Sequence, residues 1–156
     1  MATSTPIAEG LWTQNSADEI SLLGGRCGAC DSVHFPVRHT CGHCQSADIT
    51  VESLPRIGKV WTWTTQAFQP KAPYDGPESE SDFEGFVVGY VDLDGVCKVQ
   101  TRLDVPTADA GTLVSIGTEV EAVSVPFGTD PEGNARSTYA FRPLSRPTTT
   151  LEGTHE

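Results

Sequence analysis

Four of the five cysteines fall in two tight pairs, and their spacing is the strongest chemical signal in the sequence. Each pair reads Cys-x2-Cys, and the cysteines concerned are Cys27, Cys30, Cys41 and Cys44. Two intervening residues let both thiolates of a pair reach one ion from a single turn, and two such turns complete a tetrahedral set of four sulfurs. The pattern predicts one structural Zn²⁺ per chain, in a closed shell that leaves no open position for chemistry.

Two other interpretations of these thiols stay open at this point. Mononuclear iron accepts the same tetrahedral sulfur ligands and would make the chain a rubredoxin-like electron carrier. Paired disulfides would suit a secreted protein, but the N-terminus shows neither the basic start nor the apolar stretch of a secretion signal. We therefore expect a soluble, cytoplasmic protein, and in that compartment paired cysteines indicate metal before disulfide.

The remaining reactive side chains do not form a catalytic motif. Cys97 follows a predicted hairpin turn, where a small core residue or a surface thiol is a better interpretation than a nucleophile. His34, His39 and His43 lie among the cysteines, but four thiols already fill the metal site, so we predict surface or loop positions. The sequence contains no Gly-x-Ser-x-Gly, phosphate-binding Gly-rich loop or His-Glu-x-x-His. No catalytic residue is predicted, and the chain is not expected to be catalytic alone.

The charge balance disfavours two classes of ligand. Ten Lys and Arg stand against 21 Asp and Glu, which gives a formal net charge of −11. Nucleic-acid backbones and anionic membrane surfaces are therefore repelled on average. The charge is uneven, because residues 72–96 carry seven acids and no base. The basic residues nearest the cysteines are Arg26, Arg38, Arg56 and Lys59. They are either ordinary solvated charges or a local site for an anion.

The segment before the cysteines is predicted to be an arm followed by a short helix. Residues 1–15 look like a loose arm, with Leu11 and Trp12 as its bulky anchors. Ser16-Ala-Asp-Glu19 fits a capping box, the apolar residues that follow fit about two helical turns, and Gly24-Gly25 supplies a stop. The competing interpretation of this segment is an ordinary loop.

Beyond the cysteines, the residue pattern is typical of strands and turns, so the predicted fold class is mainly β. Alternating apolar and polar residues and β-branched content predict strands over 57–65, 86–93, 96–103, 118–125 and 137–141. Asp94-Gly95 is a two-residue hairpin signal, and residues 104–117 have room for one helical turn. The predicted units are the arm and helix (1–25), the zinc ribbon (26–52), a β domain (53–145) and a flexible tail (146–156).

The connection between the first two of these strands is unusually long. Residues 66–85 show neither a helix nor a strand pattern, and a loop of that length in a compact domain is usually functional or disordered. Phe68, Tyr74 and Phe83 are spaced through it. These aromatic side chains either anchor a partner protein or fold the loop back onto its own domain.

Several motifs, taken in chain order, resemble the DUF35 family. The matching segments are Arg26-Cys-Gly-Ala-Cys30, Phe35-Pro36, Cys41-Gly-His-Cys44, Gly58-Lys-Val-Trp-Thr-Trp-Thr64, Phe86-Val-Val-Gly-Tyr-Val-Asp-Leu-Asp-Gly95, Ile116-Gly-Thr-Glu-Val120 and Tyr139-Ala-Phe-Arg-Pro143. The resemblance covers about residues 12–143 and implies a rubredoxin-like zinc ribbon followed by a five-stranded OB-fold barrel. The cysteine motif alone is widespread, so the ordered set carries the resemblance.

The resemblance also implies a role. DUF35 proteins are accessory subunits of thiolase-superfamily enzymes that act on acyl-CoA thioesters, among them thiolases and thiolase-like aldolases of steroid side-chain or aromatic degradation. The catalytic residues then belong to the partner, and a hetero-oligomer is expected, with acyl-CoA near the interface. The residues expected at a partner or CoA interface are Arg38, Lys59, Phe68, Tyr74 and Phe83. The acidic stretch 75–84 departs from the family pattern. It favours a basic partner surface, or a contact of the three loop aromatics with the acyl end of the substrate, over CoA phosphates.

A nucleic-acid-binding module is the alternative function. OB-folds and zinc ribbons both serve single-stranded nucleic acids, and Trp61, Trp63 and Tyr90 could stack on bases. Aromatic residues on strands are more often part of the core, however, and the net charge of −11 removes the electrostatic attraction.

Overall fold

A computed structural model describes residues 4–144, so the predicted tail at 146–156 lies outside the described residues. The strands are β1 Thr5–Pro6, β2 Trp12–Gln14, β3 Ile20–Cys27, β4 Val33–His34, β5 Ile49–Ser53, β6 Ile57–Gln66, β7 Phe86–Asp92, β8 Lys98–Leu103, β9 Glu119–Thr129 and β10 Ala135–Pro143. Short 3₁₀ turns cover Glu80–Asp82 and Thr107–Asp109, and the helix α1 covers Ala110–Leu113. Every strand predicted from the sequence is present.

Five strands close into a barrel in the order β6-β7-β8-β10-β9, and β9 pairs back with β6. All of these pairings are antiparallel except the parallel pairing of β8 with β10. Strand alternation explains the closure, because β7 buries Val87 and Val91 while β8 buries Val99 and Leu103 on the same side. Asp94 and Gly95 form the β7–β8 turn, both with positive φ. The predicted five-stranded OB-fold barrel is confirmed.

The zinc ribbon is built around β3. One edge of β3 pairs with β2 and then with β4, and the other edge pairs with β5 along residues 49–53. The first cysteine loop follows β3, and the second precedes β5, whose first residue Ile49 pairs with Cys27 at the end of β3, so the two loops meet at the same end of this small sheet. The sheet thus brings together two cysteine pairs that are ten residues apart in sequence.

The predicted short helix before the cysteines is wrong. Residues Ser16–Glu19 form the turn between β2 and β3, and the amide of Asn15 donates to the carbonyl of Glu19 (2.8 Å). Ile20 and Leu22 are fully buried two residues apart, which is the period of a strand. Gly24 and Gly25 do not end a helix; they lie within β3, where a Cβ would come within 2.7–2.8 Å of Leu54 and Ile49.

The arm predicted as loose is partly ordered in the same way. Thr5–Pro6 pairs with β10, and Trp12–Gln14 pairs with β3. Both expected anchors are held. The Leu11 carbonyl accepts a backbone hydrogen bond from the Leu23 amide (2.8 Å), and the centre of the Trp12 ring lies 6.3 Å from that of Tyr139. Strand pairing therefore orders a polar segment whose sequence shows neither a strand nor a helix periodicity.

The ribbon and the barrel share one hydrophobic core. Ile20 and Leu22 from β3 belong to the same buried cluster as Val120 and Phe141 of the barrel. Aromatic contacts join the two parts as well, since the Phe35 ring lies 5.2 Å from Tyr139. An ion pair of 2.6 Å between Arg142 and Asp18 closes the junction at the surface. The metal site is therefore held in a fixed position relative to the barrel.

No helix among residues 4–144 has the length and apolar character to cross a membrane.

Candidate metal centre

The four predicted ligands converge on one point. All four sulfurs lie within 4.8 Å of one another. Cys27 Sγ is 3.5 Å from Cys44 Sγ, and Cys30 Sγ is 3.6 Å from Cys41 Sγ. A tetrahedron with Zn–S bonds of about 2.3 Å has edges of about 3.8 Å, so the set fits one zinc ion. These separations are far longer than the roughly 2.05 Å of a disulfide bond, which rules out the disulfide interpretation.

Each cysteine pair sits in a tight turn that aims both sulfurs inward. The amide of Asp31 donates to the Cys27 carbonyl (2.9 Å), and the amide of Gln45 donates to the Cys41 carbonyl (3.1 Å). Asp31 and Gln45 both adopt the left-handed region, with φ of 62° and 65°. The same residue position after each pair therefore has the same backbone form, which identifies two equivalent knuckles. Chain reversal at these points is what leaves the thiols facing each other.

Groups around the sulfurs orient them and share their charge. The amide of His43 donates to Cys41 Sγ (3.3 Å), and His34 Nε2 lies 3.5 Å from the same sulfur. Such outer contacts fix ligand geometry and stabilise the thiolate. The prediction that the histidines are only surface or loop residues is therefore wrong for His34, which is half-buried against the metal site. No sequence motif links His34 to the cysteines; β4 supplies the link, because it ends at this residue.

The protonation of the thiols is uneven. A hydrogen bond with Ser32 lowers the pKa of Cys30 to about 6, so this sulfur ionises readily. At Cys44 the Ser46 amide lowers the pKa, but the neighbouring sulfurs of Cys27 and Cys30 outweigh it and raise the pKa to about 12. Four adjacent thiols cannot all carry negative charge without a cation among them. A divalent metal resolves this conflict, and it supplies structural cross-linking of the two knuckles.

Cys97 is separate from this centre. It is half-buried and packs against the barrel core, in agreement with a small core residue. Burial raises the pKa of its thiol, and the charges of Asp92 and Glu52 raise it further. Because the thiolate is the reactive form, Cys97 is a poor nucleophile in this setting.

The four basic residues near the cysteines have different environments. Arg26 is bound by Glu52 (2.9 Å) and Asp31 (2.9 Å), and Arg56 donates to the Ile20 carbonyl (3.1 Å). These two are structural. Arg38 and Lys59 are exposed. Lys59 lines a cleft of about 580 Å³ whose other charged lining residues are Arg56, Asp92, Asp94 and Glu119.

Aromatic residues of the long loop separate into two groups. Tyr74 and Phe83 fold back onto the barrel, where the Tyr74 ring lies 6.4 Å from Phe86 and 6.2 Å from Phe127. Arg102 lies over the Phe86 ring at 4.0 Å and donates to the Tyr74 hydroxyl (3.2 Å). We refer to these residues as the aromatic brace: Tyr74, Phe83, Phe86, Arg102 and Phe127. The third loop aromatic, Phe68, is 82% exposed.

The three residues considered for base stacking also differ. Trp61 and Tyr90 are exposed on the β6–β7–β8 face and contact each other edge to face at 6.2 Å. Lys98 covers the Trp61 ring at 5.1 Å. Trp63 instead packs against the core. This face holds one exposed aromatic pair, not a row of stacking platforms.

Sequence reasoning missed the partners that hold the loop. Phe86, Phe127, Arg102 and Arg136 come from four different strands, and each looks like an ordinary strand residue on its own. No local signal marks them, since arginine and single apolar residues are both ordinary at outward strand positions. Only the barrel's closure shows that these four side chains meet the loop.

A closed four-sulfur shell on a ribbon that packs against a five-stranded barrel defines a structural zinc protein of the ribbon-plus-OB class. Two family models match in tandem: "ChsH2, rubredoxin-like zinc ribbon domain" over residues 15–50 and "ChsH2, C-terminal OB-fold domain" over residues 51–125. The chain belongs to the DUF35 family of ChsH2-like proteins, and the predicted zinc ribbon is confirmed together with its single structural zinc ion.

A solved structure described as "Ltp2-ChsH2(DUF35) aldolase" is similar over most of both chains. It is 27% identical, and the alignment covers 79% of this chain and 84% of that one, with a TM-score of 0.51. The similarity extends across the ribbon and the barrel together, so the two domains share their order with a chain from an aldolase complex.

Proposed function

We propose that this protein is a non-catalytic, zinc-containing accessory subunit that assembles with a thiolase-like enzyme acting on acyl-CoA thioesters. The observation that carries the proposal is the two-domain match to the chain from the Ltp2–ChsH2(DUF35) aldolase complex, which spans 84% of that chain. By analogy, the partner supplies the catalytic residues. Its reaction is a retro-aldol cleavage or a thiolysis in the degradation of steroid side chains or of aromatic compounds.

The metal centre supports a structural role. Four thiolates complete the coordination of a zinc ion, and a catalytic zinc site would keep one position for water or substrate. The zinc instead holds the knuckles of a ribbon that shares its core with the barrel. Reduced thiols of this kind need a reducing compartment, so we propose a cytoplasmic location for the complex.

Direct contact with acyl-CoA is a finer part of the proposal. Arg38 and Lys59 are the exposed cations nearest the ribbon, and CoA carries several phosphate charges. The cleft beside Lys59 also contains the carboxylates of Asp92 and Asp94, which repel phosphate. Arg38 is therefore the better candidate for a phosphate contact at the interface.

Co-expression with a candidate thiolase-like subunit, sought among the neighbouring genes, tests the assembly. We expect one hetero-oligomeric peak in size-exclusion chromatography with light scattering, containing both chains and one zinc ion per copy of this chain. The aldolase or thiolase activity should require the complex and disappear with either chain alone. Two separate peaks at micromolar concentration, with full activity in the thiolase-like subunit alone, would contradict the proposal.

Single-stranded nucleic acid is the second candidate, favoured by one observation. The exposed Trp61–Tyr90 pair lies on the barrel face that OB-folds use for oligonucleotides, and Lys98 is beside it. Fluorescence anisotropy with a labelled 15-nucleotide strand tests this candidate. Binding that weakens steeply between about 50 and 200 mM salt would support it. No change in anisotropy at micromolar protein would remove it.

A further inference from the structure

Phe68 is exposed although its neighbours are firmly held. Gln66, the last residue of β6, pairs with Phe86 of β7, and its side-chain amide donates to the Phe68 carbonyl (2.6 Å). On the other side, the side-chain amide of Gln69 donates to the Glu78 carbonyl (2.7 Å). The backbone that carries Phe68 is therefore fixed from both sides, while 82% of the residue's surface stays accessible.

The rest of the loop is bound to the barrel. The aromatic brace fixes the loop at Tyr74 and Phe83. A second attachment is the ion pair between Arg136 and Asp75 (2.9 Å), and the arginine of this pair also lies 5.4 Å from the centre of the Phe127 ring. A loop held in this way loses little conformational freedom when it binds another protein, because most of that ordering is already complete.

The loop that carries Phe68 is acidic. The descending arm of the loop, residues 79–84, connects the two attachments at Gln69–Glu78 and Gln66–Phe86, so it belongs to the same held loop as Phe68. Glu80, Asp82 and Glu84 on this arm are exposed. Lys71, the nearest base in sequence, lies beyond the attachment at Gln69. An exposed ring on a loop that also carries three exposed carboxylates complements an apolar pocket with a basic rim.

We propose that Phe68 is the docking anchor of this subunit and that it inserts into a basic-rimmed apolar pocket of the thiolase-like partner. The inference rests on the proposed function, because that function supplies the partner. Phe68 makes the contact, while the brace and the Arg136–Asp75 pair act as positioning elements. The Trp61–Tyr90 face differs, because Lys98 already covers Trp61 and the two rings contact each other.

Calorimetry tests the proposal with the separately purified thiolase-like subunit that passes the co-expression test. Phe68→Ala should raise the dissociation constant roughly tenfold or more, as expected for an aromatic anchor. Trp61→Ala is the matched control, since Trp61 is also an exposed aromatic (53%), and it should change the constant by less than about threefold. Both variants should melt at the wild-type temperature, because neither side chain is part of the core.

The charge of the rim is tested on the same pair of proteins. Replacing Glu80 and Asp82 by lysine should slow association several-fold and remove most of the salt dependence of binding. Arg136→Ala should weaken binding and increase hydrogen exchange in residues 67–85. If Arg136 stabilised only the barrel, exchange in this loop would not increase selectively.

The outcomes separate the inference from the proposed function. If the wild-type chain does not bind the thiolase-like subunit, the proposed function fails, and the inference fails with it. If the wild type binds and Phe68→Ala binds equally well, the inference alone is overturned. Loss of binding in Trp61→Ala with none in Phe68→Ala would assign docking to the sheet face instead.

Discussion

The knuckle region and the barrel are stabilised by different physical means. Between residues 28 and 48, Cys41 is the one residue that is buried, and its sulfur is a metal ligand. The barrel instead buries Leu93, Val120 and Phe141 completely, together with several valines. A segment this short cannot bury enough apolar surface to offset its conformational entropy, so coordination takes the place of a core. One chain can therefore contain a metal-dependent region and a packing-dependent region.

Removing one metal ligand should have the largest effect. We expect Cys41→Ser to lose zinc, unfold the knuckles and abolish assembly, since structural zinc contributes on the order of 10 kcal/mol to folding. Elemental analysis and the melting temperature measure this. Cys97→Ser is the matched control and should keep one zinc per chain, because Cys97 lies outside the centre. Full zinc content in Cys41→Ser would show that the ligand set is wrong.

Truncating the barrel core should have the next largest effect, and it should leave the metal in place. Phe141 is 0% exposed, so Phe141→Ala is expected to lower the free energy of unfolding by about 3–5 kcal/mol through lost burial and a cavity. Denaturant titration measures the loss, and elemental analysis should still find one zinc ion. A variant that released its zinc under native conditions would contradict the division between the two regions.

Outer contacts of the metal centre should have a smaller effect. His34→Ala removes the ring whose Nε2 lies 3.5 Å from Cys41 Sγ. Residues in such positions usually contribute about 10- to 100-fold in metal affinity, so we expect that loss in a chelator competition. His39→Ala offers a control, because His39 is exposed. Equal affinity in both variants would make His34 irrelevant to the zinc.

Lowering the pH should weaken zinc binding, and the change for each pH unit should be smaller than the effects of the substitutions above. Zinc binds thiolates, and Cys44, with a pKa of about 12, must release its proton on binding throughout the neutral range. Zinc affinity should therefore fall at least about tenfold for each unit that the pH is lowered, because each ligand thiol that holds its proton must release it. Below about pH 6 the loss should steepen, because the Cys30 thiol with its pKa of about 6 then also holds its proton. A pH-independent affinity would contradict this assignment.

Local chemistry explains what could be predicted from the sequence. The Cys-x2-Cys spacing alone defines a knuckle, and the Asp94-Gly95 turn lies between two alternating segments, so the metal ligands and the central hairpin follow directly. The barrel strands were predictable because one face of each is buried and the other is exposed to solvent. Apolar and polar residues therefore alternate along the sequence.

Long-range contacts explain what could not be predicted. Residues 16–19 satisfy a capping box as well as a hairpin turn, and the pairing of β3 with β2 decides between them. The positions of Tyr74 and Phe83 depend on Arg102 and Phe127, which are remote in sequence. His34 likewise meets Cys41 only because β4 pairs with β3.

The strand β5 has a consequence for how such proteins can be divided or recombined. The two family models meet between residues 50 and 51, yet β5 runs from Ile49 to Ser53 and crosses that seam. A gene cut there would split a strand and would separate Ile20 and Leu22 from the barrel residues that enclose them. The transferable unit in a fusion or a chimaera is therefore the ribbon and barrel as one piece, even though sequence comparison describes two modules.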